Sequence, residues 1–282
     1  MTTPSGVMAG LCLLLCGSCA AGAAEAAAEV SPWRLGLAIG YGERTNPLIQ
    51  SEDVPIVVDL DIAWFGERFF FDNGDFGFTF ADGERATVSA VARINSDRLF
   101  FSRTDTKFFR VLGTTGGPPT YVPVNEAGPG VVDVEVPDRD YAVELGLEVL
   151  ADGGWGMLQL SAHHDAGGTH NGYEVFLDYA RGWRRQRWYV EPSVGASWKS
   201  AEMNDYYWGV RPEEAGALLR PYRAGAGVDV HARLLASYQL TSAWVLSAAA
   251  EIVRLNDEAA KSPIVAERNV LGWFAGLGYR FR

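Results

Sequence analysis

The stretch YRAGAGVDVHARLLASY, residues 222–238, decides the fold. Alternate positions place Tyr222, Ala224, Ala226, Val228, Val230, Ala232, Leu234, Ala236 and Tyr238 on one face. Arg223, Gly225, Gly227, Asp229, His231, Arg233, Leu235 and Ser237 fall on the other. Successive side chains of a strand point to opposite faces, so this is one long strand with an oily side and a charged side. At about 3.3 Å per residue it exceeds what a tilted strand needs to cross a bilayer core. A tyrosine closes the oily face at each extremity, where a membrane strand carries its aromatic girdle. A half-buried strand of a water-soluble sheet would alternate in the same way, so the rest of the chain has to separate the two.

The length of 282 residues suits one large β domain or two smaller ones. With 32 glycines and 12% aromatic residues, the composition fits many strands and turns better than helices. A formal charge of −11 argues against nucleic acid as a partner, because phosphates select basic patches.

Residues 1–24 read as a cleaved secretory signal, with 25–282 as the exported barrel. An apolar core at 7–16 is followed by a run of small residues at 18–28, and the cut is expected after Ala24. The leading MTTPSG departs from the pattern in having no Lys or Arg. A lipoprotein signal at Cys16 or Cys19 is the alternative. Leu15 before Cys16, and Cys16 three residues before Cys19, fit that signal poorly. Cys12, Cys16 and Cys19 all lie in this segment, so the processed chain has no disulfide framework, thiolate metal site or cysteine nucleophile. Beyond it no apolar run approaches the roughly 18 residues of a membrane helix, so a spanning chain must close into a barrel.

The opening pattern recurs along the chain. It is clear at 33–42, 85–95, 141–150, 155–164, 173–180, 187–198, 243–255 and 268–282, with a short strand also expected at 99–103. Segment 55–80 is harder to divide: Gly66 breaks it, and Asn73-Gly74 signals a hairpin. Regions 96–138, 199–221 and 256–267 read as long loops on one side, and 151–154 and 239–242 as tight turns on the other. Bacterial single-chain barrels have an even strand count, which puts the unassigned strand inside 55–80. The expected fold is an all-β, transmembrane, antiparallel up-and-down barrel of about twelve strands, ten being the alternative.

Three features favour lipid outside over a protein core inside. Many oily faces end in Trp or Tyr, as at two lipid–water boundaries. The opposite faces mix Gly, Ser, Glu and Arg, which suits a crowded polar lumen. The last strand ends Tyr279-Arg280-Phe281, and an aromatic terminal strand is similar to the signal read by barrel-assembly machinery, although Arg282 follows it.

WRLGLAIGYGERTNPL, PIVVDLDIAWFGERFFFDNGDFGFTF, YYWGVRPEEA, ASYQL, LNDEAAKSPIV and the terminal GYRF together resemble the MipA/OmpV family of outer-membrane proteins. The resemblance covers nearly all of the processed chain, and GERFFFDNGDFGFTF is its densest motif. It implies an outer-membrane barrel with no known catalytic site. It further implies a scaffold linking a murein-cleaving lytic transglycosylase with a murein synthase, or, as for OmpV-type members, an antigen, adhesin or channel.

The residues themselves offer little chemistry. His163, His164, Asp165 and His170 gather near one strand end, but the two adjacent histidines face opposite ways, so rim histidines are expected and no metal. Ser161 and His163 share a face, yet no supporting carboxylate or oxyanion hole is readable, so no catalytic residue is assigned and no cofactor is expected. Glu144, Glu148, Glu174, Asp178, Glu191, Arg223, Asp229, His231, Arg233 and Glu251 all fall on inward faces. Buried charges need partners, so an ion-pair network filling a narrow lumen is expected, with a water-filled path for small solutes as the alternative. The reading is a non-enzymatic barrel of the Gram-negative outer membrane, with outer-membrane lipid around it. A murein hydrolase and a murein synthase are its expected partners, and a diffusion channel or adhesin is the competing role.

Overall fold

The computed structural model describes residues 32–101, 136–216 and 219–281. The expected signal segment and most of the 96–138 loop lie outside these residues. The strands are β1 (Trp33–Arg44), β2 (Val54–Phe65), β3 (Phe69–Asp72), β4 (Asp75–Asp82), β5 (Ala86–Ile94), β6 (Val143–Gly153) and β7 (Gly156–Asp165). They continue with β8 (Tyr173–Ala180), β9 (Trp183–Arg185), β10 (Trp188–Lys199), β11 (Gly227–Gln239), β12 (Trp244–Arg254) and β13 (Asn269–Phe281). Sequential neighbours pair antiparallel except β8 and β9, which both pair with β10, and β13 returns to β1 from Leu35 opposite Phe281 to Arg44 opposite Gly272. The wall is therefore a closed twelve-strand barrel with one extra strand, β9.

That extra strand is a continuation of β8. Its register on β10, Trp188 opposite Arg185, continues without slip the register of β8, Ser193 opposite Ala180. Between them sits Pro192, which has no N–H to give, so the ladder is interrupted there. Only the Arg181 N–H to Pro192 carbonyl bond, 3.1 Å, bridges the break.

Side chains sort by parity as a membrane barrel requires. Ile39, Leu147 and Trp33 point outward and are 62%, 57% and 55% exposed to the surroundings of the isolated chain. Rings cluster near the short-turn ends: Trp33 lies 6.4 Å from Trp64, Trp188 4.9 Å from Tyr238, and Trp244 4.9 Å from Tyr279. Where β1 closes against β13, a Cβ on Gly40 would stand 2.1 Å from the Ala275 carbonyl oxygen, so only glycine allows that approach.

One part of the wall is low. β2 rises to Val54, opposite Arg44 of β1, but the β3–β4 hairpin reaches it only from Phe70 to Asp72, opposite Phe65 to Ala63. Above Ile62, β2 has a strand on one side only among the described residues. The cause is local. Asn73 (φ 49°) and Gly74 (φ 104°) turn the chain after four residues of β3, the conformation an Asn-Gly hairpin favours. Asn73 then ends the ladder with its own side chain. Its N–H donates to the Ile62 carbonyl at 2.9 Å, and the Ile62 N–H donates to Asn73 Oδ1 at 2.9 Å.

The described parts of the long loops fold into a cap. The expected loop at 199–221 contains helix α1 (Ala201–Trp208), and a four-residue helix α2 (Asp257–Ala260) follows β12. Ser200 caps α1: its Oγ accepts from the Met203 N–H at 3.4 Å and also from the Tyr173 N–H at 3.1 Å. Met203, Tyr207, Trp208, Leu48, Leu255 and Ile264 form a buried apolar core above the barrel. Where a short strand was expected at 99–103, the described residues hold a 3-10 turn over Asp97–Phe100, whose Phe100 joins that core, and 102–103 lie outside the described residues.

The cap also claims the start of the deciding stretch. The strand begins at Gly227, not at 222. Tyr222 bridges to Val210, its hydroxyl donates to the Glu258 carbonyl at 2.8 Å, and the Ala224 N–H donates to Asp205 Oδ1 at 3.0 Å. Tyr222 is thus a cap residue and not part of an aromatic girdle. Tyr238, at the other end, does stand in the wall.

Candidate functional site

The barrel interior beneath the cap collects the charged residues. Register fixes which of them meet. Arg93 of β5 lies opposite Glu144 of β6, and its Nε donates to Glu144 Oε2 at 2.8 Å. The same guanidinium reaches across the lumen to Glu174 of β8, which also accepts from Ser197. Asn95 Nδ2 donates to Glu144 Oε1 at 2.7 Å, and His170 Nε2 stands 3.4 Å from that oxygen. A second cluster centres on Lys199, whose Nζ lies 2.6 Å from Asp97 and 2.9 Å from Asp229. Asp229 in turn accepts from the backbone and the amide of Asn256, both at 2.7 Å.

The other inward carboxylates are held nearby. Asp178 stands 3.5 Å from His231, whose ring stacks on Phe176. Glu148 accepts from Gln159 at 2.6 Å, and Glu191 accepts from the Tyr189 hydroxyl. Arg233 lies opposite Glu251 in register and donates to Ser193 Oγ at 3.4 Å. Arg223 is placed differently: it is exposed in the segment before β11, because the cap has taken residues 222–226 out of the wall. The lumen charges are therefore Glu144, Glu148, Glu174, Asp178, Glu191, Asp229, His231, Arg233 and Glu251, joined by residues that alternation alone did not single out. These are Arg93, Asn95, Asp97 and Lys199; alternation already set Arg93 and Asn95 on the polar face of their strand, and register added which partners they meet. One patch of the inner wall is apolar, with Ala38, Ile56 and Phe274 packed together and Val245 against them.

The histidine group near the end of β7 is divided between the wall, which holds His163 and His164, and the loop that holds His170. Asp165 accepts four backbone N–H groups, from Gly167, Gly168, His170 and Asn171, at 2.6–3.1 Å. His163 points inward and is buried, while His164 stacks on Tyr173 with ring centroids 4.3 Å apart. Among the described residues no three His, Cys, Asp or Glu side chains converge as metal ligands would.

The cap is fastened by its own ion pair. Arg139, 2% exposed, donates to Glu214 at 2.7 and 3.1 Å and to the Gly209 carbonyl at 2.9 Å. Burial pulls the Glu214 carboxyl upward, but Arg139 and the Arg211 N–H overcome this and hold it below the usual glutamate range. The Tyr222 hydroxyl is pushed up to about 12 by burial and by the Glu258 carboxylate beside it.

Comparison with known proteins fixes the setting. The family model described as MltA-interacting protein MipA matches residues 35–281. The chain is 29% identical over 146 residues to the MltA-interacting protein of Escherichia coli K12. It is 28% identical over 145 residues to outer membrane protein OmpV of Vibrio cholerae serotype O1. These alignments cover 51% of this chain and 58% and 56% of the two relatives, just over half of their length. The putative outer membrane protein YiaT of Escherichia coli K12 is 23% identical over 259 residues, covering 92% of this chain and 89% of that protein. With a closed barrel whose outer face is apolar and a family match along the whole wall, this chain is an outer-membrane β-barrel of the MltA-interacting protein MipA family.

Proposed function

We propose that the barrel is a non-catalytic scaffold that holds murein-remodelling enzymes, a lytic transglycosylase and a murein synthase, at the outer membrane. The family match over residues 35–281, to a model described by its interaction with MltA, carries this reading. The interior supports it, because cross-strand ion pairs and an apolar cluster occupy the lumen under a packed cap. In this arrangement the short-turn end faces the murein. It presents the hairpin RGWRRQRW at 181–188, in which every residue is exposed. Arg181 and Arg184 lie over the rings of Trp183 and Tyr189, a surface suited to a protein partner. Affinity capture from envelope extracts tests the reading: it requires co-purification of a murein hydrolase or synthase, and recovery of neither overturns it.

A second reading, a small-solute channel, rests on the charge lining the lumen and on relatives named OmpV. Liposome swelling separates the two. The scaffold leaves vesicles no more permeable than empty ones, whereas a channel swells them.

A further inference from the structure

The densest family-like motif, GERFFFDNGDFGFTF, encodes the low section of the wall, and the scaffold reading makes no use of it. The shortfall lies in the long-loop half, where β2 runs on from Ala63 to Val54 beyond its last partner in β3. Ile62 directs its N–H and C=O at Asn73, so Leu60 and Val58, on the same parity, direct theirs into the space above the hairpin. No strand pairs with them there among the described residues. Backbone groups facing lipid without partners are costly, which makes such a gap a built feature.

Polarity changes sharply across this gap. Outward, Leu60 and Ile62 face the bilayer side. Inward, the same strand carries Asp59 and Asp61. Arg34 spans Asp61 and Asp72, at 3.0 Å to each, and Asn73 Nδ2 donates to both carboxylates. Asp59 is outside that arrangement. It is 5% exposed, forms no hydrogen bond or ion pair among the described residues, and has the carboxylate of Asp61 as a like-charged neighbour. A buried carboxylate without a partner is expensive, and its complement is a cation that brings donors. Leu60 and Ile62 turn their apolar side chains to the bilayer beside it, which suits an organic cation carrying an apolar tail.

We propose that the gap above the β3–β4 hairpin is a lateral entry from the bilayer into the lumen, where Asp59 receives the protonated amine of a single-chain amphiphile. The head supplies three N–H donors, for Asp59 and for the strand-edge carbonyls of Leu60 and Val58, while the tail stays in lipid. An anionic head meets Asp59 and Asp61 and is refused.

The test uses the intact barrel in dodecyl maltoside, titrated with dodecylammonium and, separately, with dodecanoate. The amine should bind saturably at one site and dodecanoate should not. Asp59→Asn, which keeps the shape, should weaken the amine about tenfold or more, as loss of a charge-assisted bond does. Asp59→Glu should retain most of the binding. Heat-modifiable migration of each variant checks that the barrel has formed. A diazirine in the tail of the amine should crosslink to β2 and the β3–β4 hairpin. Unsaturable uptake, equal binding by Asp59→Asn, or crosslinks spread evenly around the wall would each overturn the proposal.

Discussion

Apolar residues do opposite work in the cap and in the wall. In the cap, Tyr207 and Trp208 are 0% exposed and covered by other side chains of the same chain. In the wall, Ile39 and Leu147 stand more than half exposed, and the lipid must cover them. The two regions are built for different solvents. The cap is a small water-soluble core with capped helices and a buried ion pair. The wall satisfies its backbone through a ladder closed around the ring, the edge of β2 above Ile62 being the exception among the described residues. A change that harms one should spare the other, which makes the contrast open to direct attack.

The largest effect is expected from Trp208→Ala, which removes the biggest buried side chain of the cap and should cost about 3–5 kcal/mol locally. Limited proteolysis should then cut in 200–226 while heat-modifiable migration of the barrel persists. Loss of the folded barrel as well would show that the two regions are one cooperative unit. Leu147→Arg attacks the other side. A cation on the lipid face should cost about 2–4 kcal/mol near the middle of the membrane. Urea titration of the barrel in vesicles should show it, with cap proteolysis unchanged. Ser200→Ala removes the α1 cap and its tie to Tyr173, for about 1 kcal/mol. Faster hydrogen exchange confined to α1 is the expected reading.

The smallest effect is acid loosening of the cap. Glu214 titrates below its unfolded value, so its contribution is present above about pH 4.3 and fades as the pH falls through the folded value. Protease sensitivity of the cap should therefore rise below that pH, and Glu214→Gln should flatten the dependence.

Much of this contrast could be read in the residues. Alternation identified the wall strands and their outward faces, because a period of two survives on a sheet with lipid on one side and lumen on the other. The even strand count of such barrels confined the unassigned strand to 55–80, where β2, β3 and β4 now lie. Alternation failed where the same pattern served another purpose. Residues 222–226 continue the period, yet the Asp205, Asn204 and Glu258 side chains draw them into the cap, and that competition is tertiary. Helix α1 is eight residues long and its buried face, Met203, Asn204, Tyr207 and Trp208, covers barely two turns, below the length at which periodicity speaks. The charged lumen was visible residue by residue but not as pairs. Arg93 meets Glu144 only because the β5–β6 register sets them opposite each other, and a slip of one residue would leave them on opposite faces of the wall.

The seam between β1 and β13 carries a practical consequence. The first and last strands of the ring are hydrogen-bonded neighbours, so their far ends at the short-turn rim are close enough to be joined by a brief linker. A circularly permuted gene, opened instead at the tight 154–155 connection, would then thread the same cylinder in a new order. If that rearranged polypeptide still assembles, insertion depends on the ring of pairings and not on which strand is synthesised last.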